Sequence, residues 1–241
     1  MYFSKFQNME YDVEGNGTLR TVKNIAQYSD ILTKNIDDIS FYTYYNVSDG
    51  ERPDNVSEKL YGTSEFYWTL FMVNKTFQNT WTDWPKKSSA LRSFLEEQYV
   101  GYAGIFAAAD DISNKFTIGE TITGATSGAV GKLLAKYTTA GWVQIELIGT
   151  TKFSETGESI SGANSEDILS CTSIIRTPYA PSYHISDSSG ERVKRRDAGT
   201  TGVSIFSEEN QKNLDRARIK VIKPEYINEI ANAFEEAMRQ E

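Results

Sequence analysis

The sequence predicts an α+β protein that carries a small all-β module as an insertion. Three observations support this prediction. Residues 41–84 hold twelve of the thirty aromatic residues in a strand–turn–helix–helix order, whereas residues 113–175 change to Gly, Thr, Ser, Ile and Val. The chain then ends in a basic strand and an amphipathic helix within residues 207–241. Helices and strands in separate runs are typical of α+β folds.

The composition narrows the class of protein. A chain of 241 residues is long enough for one large domain or two small ones. No apolar run approaches the ~18 residues of a membrane span, and we expect no secretory signal. The net charge of -8 argues against general nucleic-acid affinity and favours contact with basic protein surfaces. A single cysteine, Cys171, rules out an intramolecular disulfide, and a single histidine, His184, leaves few options for metal or acid–base chemistry.

Residues 1–112 are predicted to hold an N-terminal helical segment followed by an aromatic domain with its core at about 41–84. The helical segment is predicted from apolar residues spaced three and four apart. These residues are Leu19, Val22, Ile25, Ile31, Leu32 and Ile36. A further amphipathic helix is expected over residues 86–100.

Within the aromatic block, turn and cap residues separate the elements. Residues 41–47 are aromatic and β-branched, which predicts a strand. Pro53 suits the first turn of a helix, and Gly62 suits its C-terminal cap. A second helix, apolar nearly all round, then runs to Asn74 and is expected to be buried on more than one side.

Residues 113–175 contain an internal repeat. GETITGATS begins at Gly119 and GESISGANS begins at Gly157, with six of nine positions identical. Alternating apolar residues between the copies predict strands, so we expect a small all-β module. Glu120 and Glu158 recur within the repeat and could serve a hydrolase, but their symmetric placement favours a structural role at strand ends.

After the module, residues 176–206 are predicted to form a loop or hairpin linker, and residues 207–241 a strand–helix arm. Arg218 begins the basic strand and Pro224 opens the helix. The sequence leaves two interpretations of this helix open. It either lies on its own domain or extends as an arm that clamps a neighbouring chain.

The aromatic block resembles a LysM domain, a compact βααβ unit. That family shows a Tyr-x-Val-x-x-Gly strand and turn, an Ile-Ala-x-x-x-Tyr-Gly helix, and an Asn thirteen residues after the helix Tyr. The matching positions here are Tyr45, Val47, Gly50, Val56, Ser57, Tyr61, Gly62 and Asn74. The departures are Val56-Ser57 in place of Ile-Ala, Pro53 in place of Leu and Val73 in place of Ala.

The longer run RPDNVSEKLYGTSEFYWTLFMVN and the ending LDRARIKVIKPEYINEIANAFEEAM are similar to a narrower family, the LysM-like baseplate wedge subunit of contractile-tailed bacteriophages. The resemblance covers about residues 1–110 and 176–241. It implies a structural virion protein of the tail baseplate, made in the host cytoplasm, which joins neighbouring wedges around the tail hub. It also implies no catalytic activity, cofactor or metal.

The expected partners are therefore other baseplate wedge proteins, with no nucleic acid, membrane or small-molecule substrate. Aromatic side chains and Arg anchor protein interfaces. The candidate interface residues are Arg52, Tyr61, Tyr67, Trp68, Trp81, Trp84, Ile227, Ile230, Phe234 and Met238. The alternative function is a peptidoglycan-binding LysM module of a cell-envelope or lysis-associated protein.

Overall fold

The computed structural model describes residues 6–24, 41–77, 79, 82–194 and 196–240, with the side chains of the last helix described as far as Ala237. The chain divides into two compact units. Unit 1 comprises Met1–Lys87 and Asn213–Glu241, and unit 2 comprises Ser88–Lys212. Unit 2 is therefore inserted between two parts of unit 1.

Unit 1 is built from short strands and helices drawn from both ends of the chain. Its strands are β1 (Asn8–Tyr11), β2 (Arg20–Lys23), β3 (Tyr42–Asn46) and β13 (Arg218–Ile222). Its helices are α1 (Pro53–Tyr61), α2 (Tyr67–Val73) and α5 (Ile227–Gln240). Short 3-10 turns at Ser64–Phe66 and Pro224–Tyr226 precede α2 and α5.

The predicted strand and helices of the aromatic block are present in this unit. Pro53 stands at the start of α1, and Gly62 follows it with a φ of 72°, a left-handed conformation that glycine adopts without a steric cost. Thr63 accepts a hydrogen bond from the backbone of Glu65 at the next helical turn. The apolar core beneath these elements contains Val47, Val56, Leu70, Phe77, Trp84, Ile219 and Val221.

The N-terminal helical segment needs correction. The predicted helix begins at Leu19, but Arg20–Lys23 is strand β2, which pairs antiparallel with β1. The β-branched residues Thr21 and Val22 suit a strand, and the turn around Gly15-Asn16-Gly17 brings the two strands together. The remaining helical positions, Ile25, Ile31, Leu32 and Ile36, lie outside the described residues.

Unit 2 begins with α3 (Ser88–Gln98) and continues into a closed barrel of six strands in the order β4-β7-β6-β5-β8-β9. The strands are β4 (Tyr102–Phe106), β5 (Thr121–Gly124), β6 (Val130–Tyr137), β7 (Trp142–Ile148), β8 (Ser159–Gly162) and β9 (Ile168–Arg176). Apolar residues fill the interior, among them Leu133, Ile145 and Ile174. Cys171 is buried there, and burial raises the pKa of its thiol to about 12.

The barrel extends beyond the predicted module of residues 113–175. Strand β4 lies before residue 113, yet it closes the barrel by pairing with both β7 and β9. Its sequence, YAGIF, carries no strand alternation because most of its side chains are buried. The small residues Ala103 and Gly104 also weaken the apolar pattern by which a strand is predicted from sequence.

The predicted linker, residues 176–206, forms a three-stranded antiparallel sheet in the order β11-β10-β12. Its strands are β10 (Pro181–Ser186), β11 (Arg192–Val193) and β12 (Thr200–Ser204). The expected hairpin corresponds to β10 and β11. Helix α4 (Ile205–Ala217) then carries the chain out of unit 2 and back into unit 1.

Candidate protein-interaction site on unit 1

Strands β3 and β13 come from opposite ends of the chain and form one antiparallel sheet. Tyr42 lies opposite Ile222, and Asn46 lies opposite Arg218. Helices α1 and α2 follow β3 directly in the chain, and β13 completes a βααβ arrangement with them. The last strand of this arrangement lies after the whole of unit 2 in the sequence. The terminal strand therefore belongs to the sheet of unit 1 and is not an extended arm.

Two polar side chains of the helical part hold β13 in place. The Tyr61 hydroxyl donates to the carbonyl oxygen of Ile222 at 2.9 Å, and burial raises the pKa of this hydroxyl to about 12. The Asn74 amide both donates to and accepts from the backbone of Lys220. These contacts give Tyr61, a predicted interface residue, a role inside the unit.

Trp84, another predicted interface residue, lies in the core. Only 9% of it is exposed, and its indole N–H donates to the carbonyl oxygen of Glu51 at 2.8 Å. Its ring lies against Phe71 and Phe77, with centroids 5.5 and 5.8 Å away. Some of the many aromatic side chains of residues 41–84 are thus packed against one another within unit 1.

The terminal helix also lies on its own unit. Phe234 is 1% exposed, with its ring 4.7 Å from Trp68 and 6.4 Å from Phe6, measured between ring centroids. Ile227 is buried in a cluster with Val73, and Ile230 and Trp68 are partly buried against that cluster. Four predicted interface residues, Trp68 among them, therefore form the join between α2 and α5, which decides between the two interpretations of this helix.

The other predicted interface residues have different surroundings. Arg52 is exposed and pairs with Asp54 at 3.1 Å, and Tyr67 is partly buried. Trp81 lies outside the described residues, and so does the side chain of Met238. Of the ten predicted contacts, Arg52 is the one whose described side chain stands mainly in solvent.

A buried charge supports the turn before α1. Glu51 is 8% exposed and accepts hydrogen bonds from the Tyr45 hydroxyl, the Ser48 N–H and the Lys59 ammonium group. Burial raises the pKa of this carboxyl, but the bonds from Lys59, Ser48 and Tyr45 outweigh that effect and hold the pKa below its usual value. Tyr45 and Glu51 therefore fix the β3–α1 turn.

The outer face of the β3–β13 sheet carries a surface that the sequence analysis missed. Side chains alternate along a strand, so Tyr42 and Tyr44 share the outer face with Arg218 and Lys220. The Arg218 guanidinium carbon lies 4.5 Å from the Tyr44 ring centroid, and the Lys220 nitrogen 4.6 Å from that of Tyr42. The alternating side chains of YTYYN and RIKVI would indicate this surface in the sequence, but only if the two strands are known to pair.

These four residues are called the cationic aromatic face below. The two Tyr rings meet edge to face at 6.0 Å, and Tyr44 is 50% exposed. The face is positively charged on a chain whose net charge is -8. Each cation over an exposed ring contributes about 0.5–1 kcal/mol, so the rings and cations hold each other in position before any partner binds.

The repeated carboxylates of unit 2 have a structural explanation. Glu120, 2% exposed, accepts from the backbone N–H groups of Asn164 and Ser165, both at 2.9 Å. Glu158, 6% exposed, accepts from those of Thr126 and Ser127, at 2.8 and 2.9 Å. Each glutamate thus holds the turn of the other repeat copy.

The same exchange explains the glycine of the motif. A Cβ atom at Gly124 would lie 2.6 Å from a carboxylate oxygen of Glu158, and one at Gly162 equally close to Glu120. Thr123 and Ser161, which hold equivalent positions in the two copies, face each other across β5 and β8. Glu120 and Glu158, the two carboxylates on which the hydrolase interpretation depends, are therefore both engaged in holding the turns of the barrel.

The described part of the chain contains no group of three or more His, Cys, Asp and Glu side chains placed to hold a metal ion. Among the same residues, no helix has the length and apolar character that crossing a membrane requires.

Comparison with known proteins connects these features to a family. Residues 1–117 match the model of a protein family described as Base plate wedge protein 53. The matched segment contains β3, α1 and α2 of the βααβ arrangement and ends within unit 2. A comparison with curated proteins gave no match. Through residues 1–117 the chain is thus similar to base plate wedge protein 53, and this similarity supports a structural component of a phage baseplate.

Proposed function

We propose that this chain is a structural protein of the phage tail baseplate wedge that docks onto a neighbouring wedge protein and so helps to join wedges around the tail hub. It would act in the virion after assembly in the host cytoplasm, without catalysis. The family match of residues 1–117 supports the baseplate setting. The observation that carries the docking step is the cationic aromatic face, in which Tyr44 and Arg218 are exposed while most other described aromatic residues of unit 1 are buried or partly buried.

We also propose that β3, α1, α2 and β13 form a LysM-like unit. The order βααβ supports this, and so do Tyr61-Gly62 at the end of α1 and Asn74 at the end of α2. In this unit Tyr61 and Asn74 both bond to β13, which gives the residues of the motif a common purpose. They hold the second strand against the helices.

The chemistry of the face selects the partner. Arg218 and Lys220 lie over the Tyr rings and retain N–H donors for a ligand on their outer side. Carboxylates are the protein groups that bind such donors best. The partner is therefore an acidic surface on a neighbouring wedge protein, with its Asp or Glu side chains set against Arg218 and Lys220.

The charge of the rest of the chain directs this docking. A basic face on a chain of net charge -8 attracts an acidic partner at one place and repels it elsewhere. Phosphate backbones are a poorer fit because nucleic-acid affinity grows with the number of phosphates neutralised, and the face offers two cations. A peptidoglycan chain is also a poorer fit, since the cations already cover ring faces on which a sugar would stack.

Charge reversal tests the docking step. In the double variant Arg218→Glu and Lys220→Glu, like charges would face each other across the interface, and such contacts cost several kcal/mol. We expect incorporation of the variant into wedge complexes, measured by sedimentation of assembly mixtures, to fall about tenfold or more. Lys75→Glu with Lys152→Glu is the matched control, since both lysines are exposed and lie outside the face.

Normal incorporation of the Arg218→Glu and Lys220→Glu variant, with its fold intact, would refute docking through this face. Peptidoglycan sedimentation tests the alternative function. Saturable binding of the whole protein to peptidoglycan, lost in the same double variant, would favour a glycan-binding LysM module instead.

A further inference from the structure

The solvent side of the terminal helix is acidic. Residues 224–237 contain four glutamates and no lysine or arginine. Three of these glutamates are exposed, namely Glu225 in the 3-10 turn that precedes α5, and Glu229 and Glu236 in α5 itself. Successive spacings of four and seven residues place side chains on one side of a helix. These three residues are called the acidic stripe below.

The apolar side of α5 fixes the direction of the stripe. Ile227 and Phe234 are 3% and 1% exposed, and the Phe234 ring lies against Trp68 of α2. Both residues belong to the side of the helix that faces unit 1, whereas the stripe lies on the other side. The helix is therefore held in place by its apolar contacts, and its carboxylates are presented to solvent.

The acidic stripe has no cation of its own. Among the residues that the structure describes, no Lys or Arg side chain pairs with Glu225, Glu229 or Glu236. Other carboxylates on the surface of the chain are already matched. Glu208 and Glu209 both pair with Lys212, for example, at 3.2 and 2.7 Å. The stripe thus differs from these groups in keeping its negative charge for a partner.

The cationic aromatic face is in the converse situation. Neither Arg218 nor Lys220 pairs with a carboxylate within the described part of the chain, although their positions over Tyr44 and Tyr42 are fixed. The face and the stripe both belong to unit 1. One copy of the chain therefore carries the two halves of an ionic interface that it does not close on itself.

The spacings of the two charged surfaces match. Arg218 and Lys220 are two residues apart on β13, which corresponds to about 6.8 Å along a strand. Glu225 and Glu229 are four residues apart, which corresponds to about 6 Å along a helix. The start of α5 can thus lie along the strand and set one carboxylate against each cation, in two charge-assisted pairs.

We infer that the acidic partner of the cationic aromatic face is a second copy of this chain, which presents its acidic stripe to Arg218 and Lys220. The inference rests on the proposed function, because it names the neighbouring wedge protein onto which the face docks. The contact is head-to-tail, so each copy offers its face to one neighbour and its stripe to another. Repeated contacts of this kind form a ring when the rotation between copies closes.

Reversing the charge of the stripe tests the contact from its other side. In the variant Glu225→Lys with Glu229→Lys, cations would meet the cationic aromatic face of the next copy. We expect incorporation into wedge complexes to fall about tenfold or more, as for Arg218→Glu with Lys220→Glu. Sedimentation of assembly mixtures measures this loss.

The matched control for the stripe is Glu58→Lys with Glu65→Lys. It makes the same change of charge at two exposed positions of unit 1 outside the stripe, and we expect it to leave incorporation unchanged. The thermal unfolding midpoint of each variant shows whether it is folded.

Restoring the charge match should restore assembly. A chain that carries both double substitutions has an acidic face and a basic stripe, so its copies again fit one another. An equimolar mixture of the two double variants should also recover, because the reversed face of one fits the reversed stripe of the other. Copies of the two variants would then alternate in the complex. A face that docks onto a different protein would not be rescued in either experiment.

The possible outcomes separate this inference from the proposed function. Recovery in the chain with all four substitutions and in the mixture supports the contact between copies. Normal incorporation of Glu225→Lys with Glu229→Lys, while Arg218→Glu with Lys220→Glu fails, would overturn the inference and leave docking onto another acidic protein. Loss in both double variants without recovery in either rescue experiment would overturn it as well. Normal incorporation of Arg218→Glu with Lys220→Glu would refute both the inference and the proposed docking.

Discussion

The side-chain amide of Asn74 exchanges two hydrogen bonds with the backbone of Lys220. Its Nδ2 donates to the Lys220 carbonyl oxygen, and the Lys220 N–H donates to its Oδ1, both at 2.8 Å. The amide thus supplies the donor and acceptor that a neighbouring strand would offer β13. Nδ2 also donates to the carbonyl oxygen of Leu70 at 2.7 Å, so one residue ends α2 and ties the terminal strand to it.

Replacing Asn74 should therefore destabilise unit 1. Asn74→Ala removes two hydrogen bonds to Lys220 and leaves a partly buried N–H and carbonyl without their partner. We expect the free energy of unfolding of unit 1 to fall by about 2–3 kcal/mol, measured by urea denaturation. Asn55→Ala, at an exposed position of α1, is the control and should change it by less than about 0.5 kcal/mol. Equal effects of the two substitutions would contradict this role of Asn74.

Removal of the terminal helix is predicted to harm folding as well as assembly. A chain that ends after Lys223 lacks Ile227 and Phe234, and each buried side chain of this size stabilises by about 1.5–3 kcal/mol. It also exposes the side of Trp68 that Phe234 covers. We expect a lower unfolding midpoint and aggregation, detected by light scattering.

A shorter truncation provides the control for the terminal helix. A chain that ends after Ala237 retains Ile227 and Phe234 and should remain soluble. If the chain that ends after Lys223 were as stable and monomeric as the full protein, α5 would be an arm after all, available to a neighbouring chain.

The exchanged glutamates of the barrel predict a stability that depends on pH. Burial raises the pKa of Glu120 and of Glu158, but hydrogen bonds outweigh this effect and hold both pKa values below the usual value. The largest of these hydrogen-bond effects comes from the backbone of Ser165 for Glu120 and from the backbone of Ser127 for Glu158. A group whose pKa is lower in the folded state stabilises that state above its unfolded pKa, and the contribution is lost as the pH falls through the folded pKa.

The test compares Glu120→Gln with the unsubstituted protein. At pH 7 the variant should have a lower unfolding midpoint of unit 2, because Gln brings N–H donors to a site that offers donors. The difference should begin to shrink as the pH falls below about 4, where a glutamate of the unfolded chain becomes protonated, and it should be lost as the pH falls further through the lower pKa of the folded state. Glu155→Gln, at an exposed position, is the control. A difference that stays constant from pH 7 to pH 3 would rule out the ionised carboxylate as the cause.

Local sequence signals predicted much of unit 1. Pro53, Gly62 and Asn74 mark helix ends through backbone chemistry that acts within a few residues, and the structure places helix ends at those positions. The repeat likewise indicated a β module. These features needed no knowledge of which distant segments meet.

The sequence could not show which surfaces meet across long separations in the chain. The pairing of Tyr42 with Ile222 joins residues on either side of unit 2, and no local pattern records that closure. Consequently Trp84 and Phe234 were predicted as interface residues although they lie in the core. The cationic aromatic face was missed for the same reason, since its tyrosines and its cations come from different strands.

The insertion of unit 2 gives a final prediction about folding. Lys86 and Asn213 stand at the two points where unit 1 is interrupted, and they meet directly. The Lys86 N–H donates to Oδ1 of Asn213 at 2.7 Å, and Nδ2 of Asn213 donates to the Lys86 carbonyl oxygen at 2.9 Å. The ends of the interruption are therefore close enough to be joined by a linker of about four residues, given a reach of about 3.5 Å per residue.

A chain in which residues 88–212 are replaced by Gly-Ser-Gly-Ser should accordingly fold as unit 1 alone. All residues of the Asn74–Lys220 contact and of the core around Trp84 remain in it. We expect cooperative urea unfolding and dispersed amide signals in NMR spectra. Asn74→Ala in this shortened chain should again lower its stability, which shows that the native sheet has formed. An unfolded or molten product would mean that unit 1 requires unit 2 to fold, despite the direct contact between Lys86 and Asn213.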